Sequence, residues 1–236
     1  MCGRYANARR DQELADRFHI AELVGESLGP SWNVAPTQDV RAVLERVEGG
    51  HAVRQLRTLR WGLVPSWAKD TKAGARMINA RVETITEKPA FRKAASRRRL
   101  IVPMDGYYEW QAPESGKGRK QPFYLTDPTG ESLAAAGLYE LWPDPSKDDG
   151  ADGRWLWTLA VITTNATDTL GHIHDRSPLL LPQDSWDAWL DPALTDAGDV
   201  DALIATIPEP RLAPVKVGTA VGNVRNDGPE LVHPVE

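Results

Sequence analysis

Leu100-Ile101-Val102-Pro103-Met104-Asp105-Gly106-Tyr107-Tyr108-Glu109-Trp110 is the stretch from which the architecture is read outward. Leu100 to Pro103 is a short, unbroken apolar run and reads as a buried strand. Asp105-Gly106 punctuates it, and the aromatic run after the glycine carries the sheet onward, since aromatic side chains suit a pleated, half-buried surface. Upstream, Asp39 to Glu45 and His51 to Leu59 read as a strand pair turned at Gly49-Gly50. Downstream, Pro122 to Leu125, Ala134 to Leu138 and Trp155 to Thr163 alternate as strands, and Leu212 to Val217 reads as a last one. Helical spacing is confined to short pieces: Asp11 to Leu23, Lys88 to Ser96, Ser185 to Leu190 and Val200 to Ala205. Met77 to Glu83 reads as a loop entering a helix. Strands dominate without a βαβ rhythm. The expected fold class is α+β: one domain over residues 1–236, with a strongly bent, largely antiparallel, barrel-like sheet flanked by short helices. The acidic, Pro/Gly-rich stretch 143–153 is expected to be a flexible surface insertion.

Composition narrows the functional classes. The 236 residues are 41% hydrophobic and 26% charged, ordinary for a globular domain. There is no apolar run of membrane-spanning length and no signal-peptide layout, and a single cysteine cannot form an internal disulfide. A reducing, cytoplasmic setting is therefore expected. The net charge is −5, unevenly spread: residues 1–120 hold 22 Lys/Arg against 14 Asp/Glu, and residues 121–236 hold 6 against 19. That asymmetry fits a basic groove on an acidic body as well as it fits two differing solvated faces. No zinc-type Cys/His spacing exists and no cofactor motif is present; His172 and His174 lack recognisable partner ligands.

The lone cysteine, Cys2, follows the initiator methionine. Aminopeptidases remove Met before a small side chain, so the mature chain is expected to begin with cysteine. Such a terminus carries an α-amine titrating near pH 8 and a thiol near 8.5 on adjacent carbons. Together they can trap an aldehyde, first as an imine and then as a five-membered thiazolidine. An internal cysteine, its nitrogen held in an amide, cannot do this. Cys2 is also small and apolar enough to be an ordinary first-strand residue. Glu109 sits among aromatics, which raises a carboxylate's pKa if the side chain faces inward and leaves it alone if the side chain faces water. His174, in His172-Ile173-His174-Asp175-Arg176-Ser177-Pro178, could exchange protons near neutrality.

Several blocks taken together are more specific than any of these. Cys2-Gly3-Arg4-Tyr5, Trp32 to Thr37, Arg60 to Trp67 and Asn79 to Thr84 resemble, in order, the blocks of the SRAP family. So do Gly106 to Trp110, Thr163 to Ala166, His174 to Pro178 and Val221 to Asn226. That family was first named SOS-response-associated peptidases and is understood as abasic-site processing proteins. The resemblance covers nearly the whole chain. It implies that Cys2, Asn79, Glu109 and His174 converge in one active site, and that the chain binds single-stranded DNA and links covalently to the aldehyde of an abasic site. Lyase activity and crosslink reversal are implied through the shared imine. Arg4 and Arg81 are then the leading phosphate ligands, with Asn33, Trp67, Thr163 and Arg176 as further DNA contacts from the matched blocks. Trp32, Trp61 and Trp110 are expected in the core. Ser177 stands where the family often has Met. A monomer without metal or cofactor is expected, nucleoid-associated during DNA damage. Two rival classes remain, a thiol peptidase using Cys2, His174 and Glu109, and a non-catalytic single-strand binder.

Overall fold

The computed structural model describes residues 2–166 and 172–235; Met1, whose removal the sequence leads one to expect, lies outside them. In chain order the first elements are β1 (Tyr5–Asn7), α1 (Asp11–Phe18), β2 (Glu22–Val24), β3 (Ser31–Val34), β4 (Asp39–Glu48) and β5 (His51–Trp61). Next come β6 (Asn79–Arg81), α2 (Arg92–Arg97), β7 (Arg99–Met104), β8 (Gly106–Gln111), β9 (Gln121–Thr126), β10 (Leu133–Pro143) and β11 (Trp155–Asn165). The chain ends with β12 (Arg176–Pro178), α3 (Trp186–Leu190), α4 (Ala197–Ala205) and β13 (Ala213–Lys216).

Five strands close on themselves. β11, β10, β7, β4 and β5 are antiparallel neighbours in that order, and β5 returns to β11 in a short parallel pairing of Arg60 and Trp61 with Thr158 and Leu159. Closure removes the open edges a five-strand sheet would otherwise present. A second, five-stranded sheet runs β13-β9-β8-β1-β3. The run at 100–104 shows why β7 is apolar beyond Arg99. Leu100, Val102 and Met104 join one core with Cys2, Tyr5, Tyr107 and Leu125 of the second sheet. Ile101 faces the opposite way, into a core shared with Phe18 of α1, Ala94 of α2 and Trp186 and Trp189 of α3. All six residues of β7 are buried as a result. Asp105-Gly106 then passes the chain from the barrel to the second sheet. Gly106 is required at that corner, because a Cβ there would lie 2.5 Å from the Tyr124 ring.

The α+β class, the single domain and the bent, mainly antiparallel sheet stand as expected from the sequence. Three local readings change. α1 stops at Phe18, where His19 turns left-handed at φ 55°, and the chain leaves as β2 beside β5. Asn79–Arg81 is not the lead-in to a helix: it is a strand, parallel to β11 through Val161, Ile162 and Thr163. Pairing with a distant strand overrode the local pattern, and only a single 3-10 turn at Val82–Thr84 follows. The Lys88 to Ser96 helix is cut to Arg92–Arg97. The acidic stretch is an exposed turn between β10 and β11, tied by Asp144 N to Arg154 O at 2.8 Å. Among the described residues no helix is long and apolar enough to cross a membrane.

Candidate active site

Cys2 precedes β1, the strand between β8 and β3, and is fully buried at 0% exposure. The Asn79 side-chain amide donates to the Cys2 carbonyl at 2.8 Å. This contact bridges 77 residues of chain and exists because β6 was drawn onto β11. Glu109 reaches the same place from β8, on the face that also carries Tyr107. Glu109 is close enough to Cys2 for its charge to raise the thiol. Glu109, Tyr107, Ile173, His174 and Ser177 line one narrow cleft. Cys2, Asn79, Glu109 and His174 are thus brought to one region from four separate stretches of chain, two of them strands, β6 and β8. Ser177 is buried there, at a position where Met is frequent in the resembled family.

The local electrostatics favour proton transfer. Burial pushes the Glu109 carboxyl up to about 7, and the Asp175 carboxylate adds to the rise. Burial also pushes the Cys2 thiol well up, with Glu109 as the next cause, so the sulfur stays protonated near neutrality. The His174 ring lies below its ordinary value, chiefly through burial and against the pull of Asp175. Its Nδ1 lies 3.0 Å from the Arg176 amide, which donates to it, and 2.9 Å from Asp175 Oδ1, which calls for a proton on that same nitrogen. The His turn is fixed from two sides. Gln111, two residues beyond Glu109, donates to His172 O at 3.0 Å. Arg176 donates to Glu83 at 2.5 and 3.1 Å, to Asn165 at 2.6 Å and to Thr163 O at 2.6 Å.

The six expected DNA-contact residues divide in two. Trp67 is 67% exposed and Arg81 projects to solvent beside Asn79. Arg4 is half-buried, donating to Asn33 Oδ1 at 2.7 Å and Val221 O at 2.8 Å with its guanidinium 5.8 Å above the Trp110 ring. Asn33, Thr163 and Arg176 instead turn inward and are almost wholly buried. Asn33 donates to the carbonyls of Asn223 and Asn226 at 3.1 and 2.7 Å, so it shapes the loop after the 3-10 turn Thr219–Gly222. Thr163 and Arg176 clamp β11 to β12. These three support the site from behind and present no free polar face to a ligand. Of the tryptophans, Trp61 is buried, while Trp32 and Trp110 are only partly so.

What sequence reasoning passed over is Tyr107, whose hydroxyl is buried without a protein partner in the described residues. The only signal was its spacing of two from Glu109, which places both on one strand face.

A closed mixed barrel, with a buried cysteine near its amino end set among an asparagine, a shifted glutamate and a neutral histidine, defines a thiol-centred α+β protein. Residues 1–224 match the SOS response associated peptidase (SRAP) family, and the chain belongs to it. It is 35% identical over 233 residues to abasic site processing protein YoqW of Bacillus subtilis (strain 168), covering 98% of this chain and 99% of that one. It is 32% identical to abasic site processing protein HMCES of Xenopus tropicalis, covering 86% of this chain and 65% of that one. A crystal structure from Bacteroides thetaiotaomicron shares the fold over the full length of both chains, with a TM-score of 0.81 at 22% identity. One from Bordetella bronchiseptica gives 0.71 at 26% identity, over 92% of this chain and 100% of that chain.

Proposed function

We propose that this chain processes abasic sites, as its relatives' names state for them, and that it does so in single-stranded DNA by covalent capture through Cys2 after Met1 is removed. The supporting observation is the Asn79 bond to Cys2 at 2.8 Å, beside a glutamate whose carboxyl is pushed up to about 7. An aldehyde needs an amine, a thiol and one group that both accepts and returns protons near neutrality, and Glu109 has the right pKa for that duty.

The abasic sugar is mostly a closed hemiacetal. His174 takes the proton of the C1′ hydroxyl and returns one to O4′ as the C1′–O4′ bond breaks and the C1′ carbonyl forms. The Cys2 α-amine attacks the carbonyl carbon, and the carbonyl π pair moves to oxygen. Glu109 moves one proton from nitrogen to that oxygen and then a second, and the oxygen leaves as water as the C=N bond forms. The thiol then adds to the imine carbon: an S–C bond forms, the C=N π pair returns to nitrogen, and Glu109 passes the thiol proton to that nitrogen. The product is a thiazolidine and one water. β-Elimination on the 3′ side, a lyase reaction, and slow reversal both run through the same iminium. Asn79 orients the cysteine backbone, with Arg4 and Arg81 holding phosphates and Trp67 offering a flat apolar surface to a base.

The raised Cys2 thiol weighs against a general thiol peptidase, which works through a thiolate made available by a lowered pKa. It does not hinder addition to an iminium, where the proton leaves as the bond forms. Self-removal of Met1 by the same residues remains compatible with this site.

The test is a denaturing gel after mixing the protein with single-stranded DNA, with and without one abasic site. A denaturation-resistant shift is expected only with the abasic site, and none with Cys2→Ala. A stable crosslink formed by Cys2→Ala refutes thiazolidine capture, and salt-sensitive binding without any covalent product refutes catalysis.

A further inference from the structure

Glu109 and His174 do not complete the cleft. Tyr107 lines it with them, is 1% exposed, and its hydroxyl has no hydrogen-bond partner in the described residues. A phenol O–H in apolar surroundings normally finds a partner, because burying one alone is unfavourable. Here the strand geometry explains the position. Tyr107 and Glu109 are two apart on β8 and share a face, and Tyr5 of β1 lies directly opposite Tyr107. Tyr5 also carries a buried hydroxyl without a described partner, but it lines a different and larger cavity with Asn7, Arg9 and Gln38. The two phenols are therefore a matched pair in burial and chemistry, and only Tyr107 faces the cleft of Glu109 and His174.

We propose that the Tyr107 hydroxyl is a further catalytic residue, a fixed hydrogen-bond donor to the oxygen of the ring-opened aldehyde and then to the hydroxyl that leaves as water. This rests on the aldehyde capture proposed above and adds a residue to it. The phenol gains and loses no net proton: it stabilises negative charge gathering on oxygen as the amine adds, and it holds that oxygen while Glu109 delivers the proton that makes it water. Burial, reinforced by Cys2 and Glu109, keeps the phenol well above its ordinary pKa, so it remains a donor across the working range. A donor of this kind, preorganised in a water-poor cleft, gains strength as charge develops on the acceptor.

The test compares wild type, Tyr107→Phe and Tyr5→Phe, with protein in excess over an abasic single-stranded oligonucleotide. The readouts are the single-turnover crosslinking rate at saturation, the affinity for the same oligonucleotide without an abasic site, and the thermal midpoint. Tyr107→Phe should slow crosslinking by about tenfold or more, bind intact DNA as wild type does, and melt at the same temperature or up to about 4 °C higher. Tyr5→Phe should crosslink at the wild-type rate. Wild-type crosslinking by Tyr107→Phe overturns the assignment, as does equal slowing in both variants or a marked fall in the Tyr107→Phe midpoint, which would make the hydroxyl structural. A wild-type protein that forms no crosslink overturns the aldehyde-capture reading itself and this role with it.

Discussion

Replacing Glu109 with glutamine should change how stability depends on pH. The carboxyl is raised from an ordinary 4.5 to about 7 in the folded protein. In the unfolded chain it gives up its proton near 4.5, and in the folded chain near 7. Between those values the native state holds a proton that the unfolded state has lost, so stability falls as pH rises through that window. Below 4.5 both states are protonated and no penalty exists; above 7 both are ionised and the full penalty applies. A rise of about 2.5 units at 1.36 kcal/mol per unit is about 3 kcal/mol. Glutamine has nearly the same shape and cannot ionise. Its advantage over wild type should therefore grow by about 3 kcal/mol between pH 4 and pH 8. Urea unfolding of both proteins at pH 4, 5.5 and 8 measures this directly. The same variant should crosslink slowly at every pH, whereas the wild-type rate should climb as the carboxylate forms around pH 7. Stability curves that run parallel from pH 4 to 8 would refute the claim that burial strains this carboxyl.

Two further substitutions separate ligand contact from scaffold. Arg81→Ala should leave the midpoint unchanged, weaken binding to single-stranded DNA and lower the log–log salt slope by about 0.7, the share of one phosphate. Arg176→Ala, which removes a buried clamp on Glu83, Asn165 and Thr163, should cost about 2–3 kcal/mol in urea unfolding; an unchanged stability would show that it was free for a ligand after all. Gly74→Ala probes the loop that leads to Asn79. A Cβ there lies 2.5 Å from the Gly62 carbonyl, and Gly62 is itself at φ +129°, so about 1–3 kcal/mol should be lost; a neutral result by thermal unfolding would mean the two backbones part easily.

Much of the barrel was legible along the chain because its signals are local. The Gly49-Gly50 turn between alternating runs made the β4–β5 hairpin plain, and both glycines take positive φ, 58° and 85°. The apolar run at 100–103 announced a buried strand. The order of blocks carrying Cys2, Asn79, Glu109 and His174 was legible as a family resemblance. What no window could contain was pairing between distant segments. Asn79–Arg81 became a strand because β11 offered it an edge, and that pairing brings Asn79 to Cys2. Which polar side chains turn inward is likewise a property of the packed whole. Asn33, Thr163 and Arg176 carry the same donors in an extended chain as Arg4 and Arg81 do, and only the tertiary structure commits them to internal partners. The carboxyl of Glu109 has an ordinary affinity for its proton in any peptide. Its displacement arises from water removed by neighbours that the sequence holds tens of residues away.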